Sequence, residues 1–179
     1  MKHLGLVVAA LLVSTGALAQ TAQPYAGLQS RPIKALSDQQ IADLRAGRGA
    51  GFALAAELNG YPGPVHVLEL GDKLALSAAQ REQVQKLFAS MKAEAVPLGE
   101  QLIGREEQLD RLFADRTVTP PNLTAATQAI GETQAALRAT HLKYHLSTLE
   151  LLSAEQVKQY SALRGYGGDQ QMPHQHRQH

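Results

Sequence analysis

Leu76-Ser77-Ala78-Ala79-Gln80 and Leu152-Ser153-Ala154-Glu155-Gln156 share one pattern, L-S-x-x-Q, and the stretch they bracket decides the fold. Each copy reads as a helix start. The Ser side chain can accept from a free amide of the first turn, and the Gln three residues on can reach back to the Ser amide. Downstream of the first copy, Val84, Phe88, Met91, Ala95, Leu98, Leu102, Leu109 and Leu112 recur in steps of three and four. That spacing gives a helix with one continuous apolar seam, broken only by Arg105. A helix over 77–115 would be about 58 Å long at 1.5 Å per residue. Pro97 lacks an amide and crowds the carbonyl of Ala93, which predicts a kink near 93–97. Arg116 to Pro121 reads as a turn, with Thr119 or Asn122 as the next cap. Leu123, Ile130, Leu137, Tyr144 and Leu151 then repeat every seven residues up to a helix end near Glu150. Leu142, Leu146 and Leu149 lie on another side, so this second helix should bury more than one face.

Moving outward, Ser37 with Gln40 forms a third capping box ahead of Ile41 and Leu44. Gly47, Gly49 and Gly51 follow in alternation. No strand and no Lys-Ser/Thr pair supports a phosphate loop, so they mark a break or a close helix contact. Phe52–Leu58 reads as helix, Asn59-Gly60-Tyr61-Pro62-Gly63 ends it, and Pro64 suits the first position of a short helix over 64–74. Ser153 starts a last helix that stops at Gly165. Residues 1–19, with Lys2 and His3 before an apolar run and Ala17-Leu18-Ala19 at the end, read as a cleaved secretory signal peptide. The run is shorter than a membrane-spanning helix requires. The organisation expected is a signal peptide at 1–19, an extended or disordered lead-in at 20–36, a helical domain at 37–165 and a Gly-, Gln- and His-rich disordered tail at 166–179.

Composition narrows the function classes. There are 17 basic and 16 acidic residues, and one basic residue, Lys2, leaves with the signal peptide. A balanced mature chain argues against nucleic acid as a partner. Cys is absent, so disulfides and thiolate ligands are excluded. Trp is absent and aromatics make up 4% of the chain, so the core must be Leu, Ala, Ile and Val, which favours packed helices. Neither a G-x-S-x-G turn nor a nucleophilic triad is present, and His141 with Glu69 is the one acid–base pair that could be drawn. The expectation is a protein that is not an enzyme.

The two L-S-x-x-Q boxes and the hairpin between them resemble the L-T-x-x-Q repeats of the Spy/CpxP family. That family includes periplasmic ATP-independent chaperones and relatives of the metal sensors CnrX and ZraP. The resemblance spans roughly 37–166 and rests on Leu76, Ser77, Gln80, Leu152, Ser153 and Gln156, with Ser where the family more often has Thr. The run Asn59 to Pro64 followed by His66-Val67-Leu68-Glu69-Leu70 also looks like a subgroup of periplasmic heavy-metal sensors or Spy-like proteins. The resemblance implies an all-α fold: a long, kinked antiparallel hairpin with shorter flanking helices, often dimeric and concave. It implies a periplasmic chaperone or envelope-stress accessory holding unfolded or misfolded envelope proteins. The alternative it implies is a heavy-metal-binding sensor or resistance protein, with a membrane-bound signalling partner.

The candidate ligands are histidines. His141 and His145 are four apart, so both rings leave one helix face a turn apart and can share an ion. Imidazole suits Zn, Cu, Ni and Co. The same spacing also suits a structural pair, with His141 partly buried on the seam and His145 at the surface. His66, with Glu69 one turn on, can add third and fourth ligands if the short helix docks beside the hairpin. No early His-x-x-x-His pair like that of CnrX is present, so that ligand set does not carry over whole. His174, His176 and His179 form a weak flexible site, and no cofactor is required by the sequence. Glu106, Glu107, Asp110 and Arg111 read as a solvated helix face.

Overall fold

The computed structural model describes Gln23 and residues 25–166, and within them the chain is all helical. The segment read as signal peptide and residues 167–179 of the His-rich tail lie outside the described residues, whereas Tyr166, expected in the disordered tail, is packed on the fold. After a 3-10 turn at Leu28–Ser30 come α1 (Asp38–Arg45), α2 (Leu54–Glu57), α3 (Pro64–Glu69), α4 (Ala78–Ala114), α5 (Pro120–Glu150) and α6 (Ala154–Leu163). The helix starts follow the caps. Ser37, Ser77 and Ser153 each accept from the amide three residues on, and Gln40, Gln80 and Gln156 return the bond. Thr119 and Asn122 do not compete: Thr119 is the cap and Asn122 closes the same box. The short helix stops at Glu69, before the expected 74, and the chain turns through Ala75 at φ 49°.

α4 and α5 pack as an antiparallel hairpin. α4 continues as one helix through the exposed Pro97. Two apolar clusters hold the fold. Ile33, Leu36, Leu44, Ala95, Leu102, Ile103, Ile130 and Leu137 form one, and Val67, Leu74, Val84 and Tyr160 the other. Each fully buried Leu contributes about 1.5–3 kcal/mol. Ile33 and Leu36 correct the reading of 20–36 as wholly extended or disordered: the packed chain begins before Ser37. α1 can lie close on α4 because Gly99 has no side chain. A Cβ there would stand 2.4 Å from the Leu44 carbonyl oxygen.

Polar groups in the seam are satisfied across the hairpin. Arg105, the residue that broke the apolar pattern, donates to the Ala129 carbonyl and to Thr133 Oγ1 on α5. Tyr144 donates to Glu94 at 2.7 Å. At the open end of the hairpin the two L-S-x-x-Q boxes meet. Gln80 Nε2 donates to the Leu151 carbonyl at 2.8 Å and to Gln156 Oε1 at 2.9 Å; Gln156 Nε2 donates to the Leu74 carbonyl and to Gln80 Oε1, both at 3.2 Å. Each glutamine therefore caps its own helix with its oxygen and ties the opposite box with its nitrogen. One expectation fails here: Glu106 is buried, and burial raises its carboxyl above the usual range. Glu107 and Asp110 do face solvent, paired with Arg111 and Lys34.

Candidate metal centre

His141 and His145 project from the α5 face that α2, α3 and the glycine loop cover. Both are buried, at 2% and 7% exposure, so His145 is not a surface residue. They line a cleft of about 410 Å³ with Glu57, His66, Glu69 and Met91. The loop after α1 makes this possible. Gly47 (φ 65°) and Gly51 (φ 86°) take left-handed turns that fold the loop back onto α5. Phe52 then stacks on the His141 ring, 6.4 Å between centroids and 8° from parallel.

The two rings are held differently. His145 Nδ1 lies 2.7 Å from the Tyr61 carbonyl oxygen. A carbonyl only accepts, so Nδ1 carries the hydrogen and Nε2 is the nitrogen left to offer a lone pair in the neutral ring. A backbone carbonyl on one imidazole nitrogen is the usual way a ligating ring is oriented. His141 Nε2 is buried and has no hydrogen-bond partner. Burial, with His145 beside it, holds the His141 ring below the usual imidazole range, so it stays neutral further into acid.

Glu57 is the residue the sequence did not single out. It sits at the end of α2, 7% exposed. Its Oε1 accepts from Tyr160 at 2.5 Å and Tyr166 at 3.1 Å, with Arg164 Nε at 3.4 Å. Its Oε2 is buried without a partner, 3.8 Å from His145 Nδ1. A Cβ built on Gly63 would stand 2.9 Å from His145 Nε2 and 3.6 Å from Glu57 Oε2. Gly63 therefore lies in tight contact with the His145 ring, and any larger residue would push that ring aside. A lone Glu on a short helix carries no signal of these contacts. The two late tyrosines, unexplained by the apolar pattern, were the available clue.

His66 and Glu69 reach the same cleft, but they bond each other, Nδ1 to Oε2 at 2.8 Å, and both are more exposed than the α5 pair. Among the described residues no three His, Cys, Asp or Glu side chains converge closely enough to hold one ion. Two buried donors there lack a hydrogen-bond partner, His141 Nε2 and Glu57 Oε2. Imidazole nitrogens with one carboxylate suit Zn, Ni, Co or Cu(II). His174, His176 and His179 lie outside the described residues.

No described helix is long and apolar enough to cross a membrane. No curated protein and no solved structure matches the chain. Residues 47–159, which carry the cleft, both L-S-x-x-Q boxes and the hairpin, match the family described as heavy-metal resistance, one related to the Spy/CpxP and CnrX/ZraP-type helical proteins. The chain belongs to the heavy-metal resistance family.

Proposed function

We propose that the protein binds a divalent transition metal in the cleft over α5 and works in the periplasm as a metal-sensing or metal-resistance protein. The observation that carries this is the pair of buried donors without a partner, His141 Nε2 and Glu57 Oε2, on residues that line the same cleft as His145. An unpaired buried polar group costs about 1–3 kcal/mol. An ion that accepted these lone pairs would remove that cost. An ion would have to draw these side chains together, since no three of them converge as they stand. His66 and Glu69, paired at the rim, are a route of entry rather than first ligands. The ion would supply only its charge and coordination preference.

The test is calorimetric titration with Zn, Cu, Ni and Co of the mature chain in which His174, His176 and His179 are replaced by Ala. One ion per chain is expected. His141→Ala, His145→Ala and Glu57→Gln should each weaken binding at least tenfold. A parent protein that binds no tighter than a free His-containing peptide refutes the reading.

A second reading, an ATP-independent chaperone acting on unfolded envelope proteins as a homodimer, draws on Leu54 and Leu58. Leu54 opens α2 and Leu58 caps its end, and they are 56% and 57% exposed. Stoichiometric suppression of aggregation of a heat-unfolded client, lost in Leu54→Ser with Leu58→Ser, is its test. No suppression at tenfold excess of folded protein removes it.

A further inference from the structure

We propose that the turn Gly49–Phe52 is a lid over the His141 ring, slung between two fixed points and strained when shut, so that the ring meets solvent only while the turn is lifted. The inference concerns access to the ring and does not depend on what the cleft binds. It starts from the two ends of the segment. Gly47 is pinned: a Cβ there would stand 3.1 Å from Val96 Cγ2 and 3.6 Å from Lys92 Cα, so its backbone lies against α4. At the other end, Glu57 accepts from Tyr160 at 2.5 Å and from Tyr166 at 3.1 Å, which ties α2 to the last helix and the residues after it. Tyr160 is 1% exposed and belongs to the second apolar cluster, so this anchor is firm as well.

Between these anchors the chain is held loosely. The Phe52 amide donates to the Gly49 carbonyl at 2.6 Å and closes a tight turn. The two residues inside it, Ala50 and Gly51, have φ 41° and 86°. Two successive positive φ values define a type I′ turn, which Gly, Asn and Asp adopt readily. An alanine there is strained by its own Cβ. Ala50 and Gly51 are exposed, so packing around them does not impose that conformation. Its effect is to lay Phe52 flat on the His141 ring, 8° from parallel, with its other edge on the first apolar cluster. The turn itself is close to the ring: a Cβ on Gly49 would stand 3.8 Å from His141 Nδ1. Little else holds the turn down. The amides of Gly49, Ala50, Gly51 and Ala53 donate to no other main-chain group, and the Phe52 carbonyl accepts one long bond, 3.4 Å, from Arg138 on α5. The Arg48–Asp43 pair, 2.6 Å, joins the loop only to its own preceding helix. A segment with so few bonds opens at a lower free energy than the helices around it. Lifting it lets Ala50 return to ordinary φ. The Phe52 stack therefore favours the closed form and the Ala50 strain favours the open one, which leaves the lid poised between them.

The experiment uses the mature chain and diethylpyrocarbonate, which acylates neutral imidazole, with each histidine read separately by peptide mass spectrometry. His66, partly exposed at the rim, reports the activity of the reagent. In the parent, His141 should react more slowly than His66, at a rate that stays flat as urea rises below the unfolding transition. A flat rate marks a local opening that exposes little surface. Two variants on the outer side of the turn should then move the His141 rate in opposite directions. Ala50→Asn relieves the strain of the closed form and should slow the reaction about fivefold; Gly51→Ala adds a second strained residue and should speed it about fivefold. A Cβ at Gly51 meets only the Leu54 side chain, at 3.8 Å, so no clash contributes. The His66 rate should be the same in all three proteins. A His141 rate that climbs with urea along the slope of global unfolding means that the ring is reached only when the whole domain unfolds, and overturns the lid. A flat rate that neither variant changes places the opening elsewhere and overturns it too. A parent in which His141 reacts as fast as His66 has no lid.

Discussion

Gly99→Ala and Gly104→Ala place the same methyl group on the same helix, five residues apart, and should change stability in opposite directions. At Gly99 the new Cβ stands 2.4 Å from the Leu44 carbonyl oxygen and 2.9 Å from its carbon, all backbone. That is about 1 Å inside ordinary non-bonded contact, and no rotamer can relieve it. α1 must retreat, and Leu44, 4% exposed, must loosen from the first cluster. Overpacking of this kind costs about 1–3 kcal/mol. Against it stands the gain from replacing Gly inside a helix, up to about 1 kcal/mol. Because the clash is with backbone, the upper part of the range applies, and the net loss should be about 1–2 kcal/mol. At Gly104 nothing lies within 4 Å, so the helix gain is uncompensated, about 0.5–1 kcal/mol. The two variants should differ by about 1.5–3 kcal/mol, which is about 4–10 °C in Tm for a domain of this size. Urea unfolding followed by circular dichroism, with unchanged m-values, is the assay. A Gly99→Ala protein as stable as Gly104→Ala would refute the packing of α1 against α4.

The paired glutamines should behave as a unit: Gln80→Ala and Gln156→Ala should each destabilise by about 1 kcal/mol or more, and the double variant by clearly less than their sum, because each removal strands the other's donor. An additive double-mutant cycle in urea would show that the latch contributes nothing. The His141 ring is depressed by burial, so the unfolded chain takes up its proton first. Stability from this group is present above the unfolded value of about 6.5 and is lost as pH falls below it, by up to about 1.4 kcal/mol per pH unit until the folded ring also titrates. Urea midpoints at pH 7.5 and 5 should therefore fall further for the parent than for His141→Asn, and equal falls would contradict the assignment.

The hairpin was legible because it is local. Capping boxes and three- and four-residue spacing are properties of neighbouring residues, and they located α1, α4, α5 and α6 closely. What those patterns cannot report is which residue of one helix meets which of another. Glu106 looked like its neighbours on a charged face, yet that position is buried. His145 looked like a surface residue until the Asn59–Gly63 turn laid the Tyr61 carbonyl on its ring. Glu57 had no local signal, because its importance comes from Tyr160 and Tyr166 at the far end of the chain. Of the four ligands drawn from spacing, the α5 pair shares the buried cleft, while His66 and Glu69 satisfy each other at its edge.

The polar links across the hairpin also decide its register. A seam of Leu and Ala is nearly self-similar from one turn to the next, and a slide of about 5.4 Å along the axis would exchange one apolar contact for another. Glu94 with Tyr144 and Arg105 with Thr133 sit at two separate levels of α4 and α5, and Gln80 of α4 pairs with Gln156 at the start of α6, just past the end of α5. A one-turn slide breaks all three at once and buries their donors without acceptors. These pairs contribute little net attraction, yet every alternative alignment is expensive, so the hairpin has one alignment rather than several. That alignment sets which turn of α5 lies beneath Gly63, and so that His145 is the ring it touches.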